Sequence, residues 1–179
     1  MNTAIGVMEF SSIARGIETT DKMIKAAQVE LLKSSTVCPG KYITILNGRV
    51  DNIKTAMKAG LAHGCEYIVD SLEINNIHAQ LIPAIVQSGL PEFSESIGVM
   101  EFYSATSAIL AADTAAKSAG ISLIEVKIGY AIGGKGVVLL TGTLASVNTA
   151  LKAACTDAEM LLQTSVIARP EKCVLEALL

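Results

Sequence analysis

The chain is short of charge, of paired cysteines and of long apolar runs, and each shortage excludes a class of function. Of its 179 residues only 17% are charged, 14 Lys and Arg against 17 Asp and Glu, for a formal net charge of -3. No run of Lys or Arg forms a basic stripe, so nothing electrostatic favours nucleic acid as a partner. Apolar stretches are broken by Gly, Lys, Glu or Asp well before the ~20 residues a membrane-crossing helix requires. The N-terminus lacks the charged, apolar and small-residue sections of a secretory signal, so a cytoplasmic chain without a membrane partner is expected. The four cysteines, Cys38, Cys65, Cys155 and Cys173, include no CxxC pair. In a reducing compartment that spacing leaves them as thiols or metal ligands rather than disulfides. No nucleophile-base pair and no paired catalytic carboxylates emerge, so the chain is not expected to be an enzyme.

What the sequence does have is apolar residues, 51% of the total. That fits an apolar core with short loops or, beyond it, extensive contact between subunits. It also has an internal repeat. Ile5-Gly6-Val7-Met8-Glu9-Phe10 returns unchanged as Ile97-Gly98-Val99-Met100-Glu101-Phe102, and six matching residues in a row do not arise readily by chance. At the same offset Ile17 matches Ile109, Asp21 matches Asp113, Lys25 matches Lys117, Ala27 matches Ala119 and Leu31 matches Leu123. After a small insertion Gly40-Lys41 stands opposite Gly134-Lys135, Leu46 opposite Leu140, Gly48 opposite Gly142 and Thr55-Ala56 opposite Thr149-Ala150. Two domains are expected, 1–93 and 94–179, joined through Gly89-Leu90-Pro91-Glu92-Phe93-Ser94-Glu95-Ser96. The recurrence of Glu9 as Glu101 reflects shared architecture more simply than chemistry.

Each half predicts strand, helix, strand, strand, helix, strand and a short helix. In the first half residues 5–10 suit a strand, and Ile13, Ile17, Ile24 and Ala27 fall near one face of a helix starting around Ser12. Residues 29–33 and 42–46 predict two strands joined across Cys38-Pro39-Gly40. Val50, Ile53, Met57 and Leu61 repeat at helical spacing, residues 67–72 predict a fourth strand, and a short helix from Ile77 is disturbed by Pro83. The order β-α-β-β-α-β is the ferredoxin-like plan, an α+β fold with an antiparallel sheet and helices on one face.

Several candidate sites are weak. Gly129 to Lys135 satisfies G-x-x-x-x-G-K, but Gly136 stands where Ser or Thr should hold magnesium, and Val137-Val138-Leu139-Leu140 predicts a strand. Without a helix N-terminus the loop lacks the dipole that binds phosphate. His63, Cys65 and Glu66 match no familiar metal spacing. Cys65, Cys155 and Cys173 are expected to be buried, inert thiols, and His78 a surface or capping side chain.

Ala4-Ile5-Gly6-Val7-Met8-Glu9, Asp21 followed by Lys25-Ala26-Ala27-Gln28-Val29, the Gly40-Lys41 turn before a strand ending at Gly48, and Ile167-Ala168-Arg169-Pro170 together resemble the BMC domain of bacterial microcompartment shell proteins. The resemblance covers nearly the whole chain, twice. Single BMC domains of that family assemble as hexamers, so two fused domains imply a homotrimer with pseudo-sixfold symmetry, partnered by other shell proteins and by encapsulated redox enzymes. A fused trimer alternates two kinds of residue around its axis where a homohexamer cannot. Cys38-Pro39-Gly40 faces Ile132-Gly133-Gly134 in the repeat, and the resemblance implies that these turns line a central pore. It further suggests an iron-sulfur cluster, [4Fe-4S] in type, shared by the Cys38 thiolates of three subunits, since such clusters are held by Cys and one chain supplies a single candidate. A cluster-free pore passing small metabolites stays open as the alternative. So does a stand-alone enzyme or sensor on a duplicated ferredoxin-like fold, because fold does not fix activity. The resemblance also implies that Lys25, Lys117 and Arg169 are tile-edge residues. As plain charges at helix ends, the two lysines would be favoured by the helix dipole alone. The first half departs from the pattern, with Asn75-Asn76 in place of Arg169-Pro170.

Overall fold

A computed structural model describes residues 3–89, 92–129, 132–156 and 158–174. Leu90 and Pro91 of the expected join, Tyr130 and Ala131 of the glycine-rich loop, and the last five residues of the expected second domain lie outside them. Contacts divide the chain into two units, Met1–Ile77 with Gly129–Gly134, and His78–Ile128 with Lys135–Leu179.

The first unit runs β1 (Thr3–Phe10), α1 (Ile13–Ala26), β2 (Glu30–Val37), β3 (Lys41–Arg49), α2 (Val50–Gly64) and β4 (Ile68–Asn75), with a 3-10 turn before the last strand. Its sheet is antiparallel in the order β2-β3-β1-β4. β1 is central and buried along all but its first residue, as a near-continuous apolar run requires. The core gathers Met8 and Phe10 of β1, Met23 of α1, Tyr42 and Leu46 of β3, and Ile53 and Met57 of α2.

The second unit opens with α3 (Leu81–Val86) and repeats the plan as β5 (Ser96–Phe102), α4 (Ala105–Ser118), β6 (Ile121–Ile128), β7 (Gly136–Gly142), α5 (Leu144–Cys155) and β8 (Leu161–Ala168). Its sheet order is β6-β7-β5-β8. The repetition extends to irregularities. Register slips between Leu31 and Lys33 and again between Leu123 and Glu125, and between Glu9 and Phe10 and again between Glu101 and Phe102. Helix starts repeat too: Ser12 Oγ accepts from the Arg15 amide at 3.3 Å, and Ser104 Oγ from the Ser107 amide at 3.4 Å. Each such cap satisfies an otherwise orphaned amide and contributes about 1 kcal/mol. The α+β, ferredoxin-like plan holds in both halves.

Four expectations need correction. The face of α1 that packs inward is not the isoleucine stripe but Gly16, Thr19, Thr20 and Met23, while Ile13, Ile17 and Ile24 are exposed. Two contacts turn the helix this way. Gly16 lies against Tyr42, where a Cβ would come within 2.6 Å of Cδ1, and Thr20 Oγ1 meets Thr44 Oγ1 at 2.5 Å. Pro83 does not disturb its helix, because it stands in the first turn of α3, where its missing amide hydrogen costs nothing. Cys65 and Cys173 are exposed rather than buried. Cys65 ends α2 in a left-handed conformation, φ +46°, its Sγ donating to the Ala62 carbonyl, and that cap position points it outward. Finally, strand pairing sets Asn75 opposite Ala4 and Ala168 opposite Ser96. Arg169 therefore corresponds to Asn76, one residue from the sequence match, and both adopt positive φ, +49° and +55°.

Candidate functional site

The site begins at the β2–β3 turn. Val37 is the last residue of β2, and the Gly40 amide donates back to its carbonyl at 3.0 Å. Gly40 takes φ +86°, a conformation that glycine enters without a Cβ penalty. The tight reversal leaves Cys38 half-buried as a free thiol beside Pro39, whose peptide bond with Cys38 is cis. The segment Gly129–Gly134 groups with this unit by contact. The Cys38 amide donates to the Gly129 carbonyl at 3.3 Å. A Cβ on Gly134 would lie 2.6 Å from the Cys38 carbonyl oxygen. The two turns that occupy the same place in the repeat, Cys38-Pro39-Gly40 and Ile132-Gly133-Gly134, are therefore brought together. Ile132 is half-buried, Gly133 exposed and Gly134 buried.

Each turn is followed by a lysine paired to the duplicated glutamate. Lys41 Nζ is 2.7 Å from Glu9 Oε2, and Lys135 Nζ is 2.7 Å from Glu101 Oε1. Sequence inspection treated Glu9 and Glu101 as architecture and missed the pairs. The signal was present, since glutamate and lysine recur at matched positions of both halves. The pairs are unequal, because Glu9 is buried and its Oε1 has no hydrogen-bond partner among the described residues, whereas Glu101 is partly open. Lys135 being held by Glu101, and β7 beginning at Gly136, the glycine-rich loop is a hairpin turn and not a strand-to-helix phosphate cradle.

An iron-sulfur cluster takes thiolate donors, usually four. Among the described residues no group of three His, Cys, Asp or Glu side chains gathers in one chain. Cys38 fits such a cluster in kind, as a partly accessible free thiol on a turn, but fits it in number only if several copies contribute. The other cysteines stand elsewhere. Cys155 Sγ lies 3.6 Å from Met100 Sδ, and burial pushes its thiol pKa up, the opposite of what a ligand or nucleophile needs. His63 Nε2 is 3.1 Å from Glu18 Oε1. His78 stands just before α3, and its Nδ1 accepts from the Gln80 amide at 3.4 Å, a capping contact as expected.

The remaining candidates are far simpler. Lys25, in the last turn of α1, pairs with Asp21 at 2.7 Å with both side chains largely exposed. Lys117, in the last turn of α4, pairs with Asp113, which is buried. Arg169 is exposed, and its amide donates to the Glu95 carbonyl at 2.9 Å. Among the described residues no helix is long and apolar enough to cross a membrane.

Comparison with known proteins agrees with this geometry. The BMC domain family model matches residues 4–77 and again 96–170. The bacterial microcompartment shell protein PduT of Citrobacter freundii is 38% identical over 175 residues, 96% of this chain and 95% of its own. The crystal structure of a microcompartment protein from Desulfitobacterium hafniense superimposes with a TM-score of 0.90 at 39% identity, covering 97% of this chain and 98% of that one. A fused permuted hexameric shell protein of the RMM microcompartment superimposes with a TM-score of 0.63 at 25% identity, covering 85% and 81%. With one copy of the domain in each half and relatives matched along almost its full length, this chain belongs to the BMC-domain family of bacterial microcompartment shell proteins.

Proposed function

We propose that three copies of the chain, each carrying domains 1–93 and 94–179, close into a pseudo-sixfold tile of a microcompartment shell. Its central pore is lined by alternating Cys38-Pro39-Gly40 and Ile132-Gly133-Gly134 turns. Three Cys38 thiolates at that pore hold an iron-sulfur cluster, [4Fe-4S] in type, which when bound supplies one-electron exchange between the two faces of the shell. The observation that carries this is the hydrogen bond from the Cys38 amide to the Gly129 carbonyl. It ties the thiol-bearing turn to its glycine-rich counterpart, so each chain offers one of each at a single place. Threefold repetition then multiplies one thiol into three without any further ligand from the chain.

Lys25, Lys117 and Arg169 serve at the tile edge, against other shell proteins, and encapsulated redox enzymes are the partners a conducting pore would serve. The lack of a second donor beside Cys38 among the described residues favours one alternative, the same ring with a cluster-free pore passing small metabolites. Anaerobic reconstitution with iron and sulfide separates the two. A broad visible absorption lost in Cys38→Ser is expected, and equal absorption in the variant overturns the cluster while leaving the ring. Native mass spectrometry is expected to find a trimer, and a stable monomer overturns the tile itself.

A further inference from the structure

The two units are alike in backbone and unlike in what covers them. In the second unit α3 and the residues leading into it lie across β6 and α4. The His78 amide donates to Asp113 Oδ1 at 2.7 Å, Gln80 Oε1 accepts from the Leu123 amide at 2.8 Å, and Gln80 Nε2 donates to the Ile121 carbonyl at 3.3 Å. Leu81, Ala84 and Ile85 are buried there. This covering closes Leu123 to 4% exposure and Ile109 to 0%.

The first unit has the same surface and nothing on it among the described residues. Leu31, matched to Leu123, is 43% exposed, and Ile17, matched to Ile109, is 54% exposed. The Asp21 side chain is 52% exposed where that of Asp113 is 4% exposed. Beside them an open cleft is lined by Gln28, Val29, Asn47 and Arg49, and Asn47 Oδ1 is buried without a partner. Val29 and Leu31 hold the positions whose counterparts, Ile121 and Leu123, bond to Gln80.

The chain contains a second segment of the same design. Arg169 corresponds to Asn76 by strand register and by positive φ, which aligns Glu171 with His78 and Cys173 with Gln80. Leu81, Ala84 and Ile85 then match Val174, Ala177 and Leu178. α3 follows the first sheet in the chain and packs in the second unit. The segment after β8 has no third unit in its own chain to cover, and Val174 is exposed at 41%.

We infer that residues 171–179 of one copy dock on β2 and α1 of a second copy, as α3 and its lead-in dock on β6 and α4. The contact is head-to-tail, the kind that closes a ring when the rotation permits. It rests on the trimeric tile and names the segment that joins one chain to the next. Apolar side chains of the tail cover Leu31 and Ile17, the Glu171 amide takes the place of the His78 amide at Asp21, and the exposed first-unit face ceases to be a liability.

A disulfide test uses the native Cys173. Leu31→Cys, mildly oxidised, is expected to give disulfide-linked dimers and trimers on a non-reducing gel, all lost in the Leu31→Cys/Cys173→Ser double variant. A link confined to single chains overturns docking on a second copy. A trimer by native mass with no link overturns the tail's role and leaves the tile standing, whereas a monomer overturns both. Val174→Asp provides a second measure at an exposed position. It is expected to raise the concentration at which trimers half-dissociate by about tenfold or more, with unchanged far-UV circular dichroism. Unaltered dissociation overturns the inference.

Discussion

Gly134 stands so close to Cys38 that a Cβ on the glycine would lie 2.6 Å from the cysteine's carbonyl oxygen, with the glycine backbone at φ +79°. No side chain fits there without displacing the thiol-bearing turn. Gly133, one residue earlier, is also left-handed, at φ +64°, but faces open space. Gly133→Ala should therefore cost only the conformational term, about 1–2 kcal/mol. Gly134→Ala should cost clearly more, because steric displacement adds to it. Denaturant unfolding of the two variants checks the order, and equal losses would contradict the close approach.

The duplicated ion pairs predict opposite sensitivities in the two halves. Lys41→Met strands the buried carboxylate of Glu9, a change that typically costs about 3–5 kcal/mol. Lys135→Met leaves Glu101 in a partly open setting, where an ion pair contributes about 0–1 kcal/mol. Thermal unfolding should show a large drop for the first variant and a small one for the second.

Gly16→Ala would raise intrinsic helix propensity by about 1 kcal/mol, yet it should destabilise. The new Cβ would lie 2.6 Å from Tyr42 Cδ1 and 2.9 Å from Tyr42 Cβ, and the second atom cannot swing aside without moving β3. Gly120→Ala, with no atom within 4 Å, is the control expected to be near neutral by chemical denaturation.

Thiol labelling should distinguish the cysteines by setting. Alkylation requires the thiolate. Exposed Cys65 should react before Cys155, whose pKa burial pushes up. Time-resolved mass spectrometry of iodoacetamide-treated protein at pH 8 reads the order directly, and faster labelling of Cys155 would contradict its burial.

Much of this fold was legible because strands and turns announce themselves locally. The six-residue repeat, the apolar run of β1 and the Pro-Gly punctuation at Cys38 each depend on a few adjacent residues. The inward face of α1 was not legible. Ile13, Ile17 and Ile24 form the stronger apolar stripe, and a helix in isolation would bury it. The chain instead turns Gly16 and Thr20 inward, through contacts with Tyr42 and Thr44 that lie in another element. The stripe left outside records contact with another molecule, which one-chain periodicity cannot distinguish from core. The asymmetry between Cys38 and Ile132 was visible at once. The Glu9–Lys41 pair was not, because it joins residues that are 32 apart in sequence.

The bond between the Cys38 amide and the Gly129 carbonyl also bears on how such a turn can evolve. Two loops some ninety positions apart share one spatial address, so a change in either alters which replacements the other tolerates. Paired substitutions there should show marked epistasis, while substitutions at well-separated sites combine independently. Any lineage that gained or lost the thiol would have had to retune a glycine-rich partner in the opposite half of the gene.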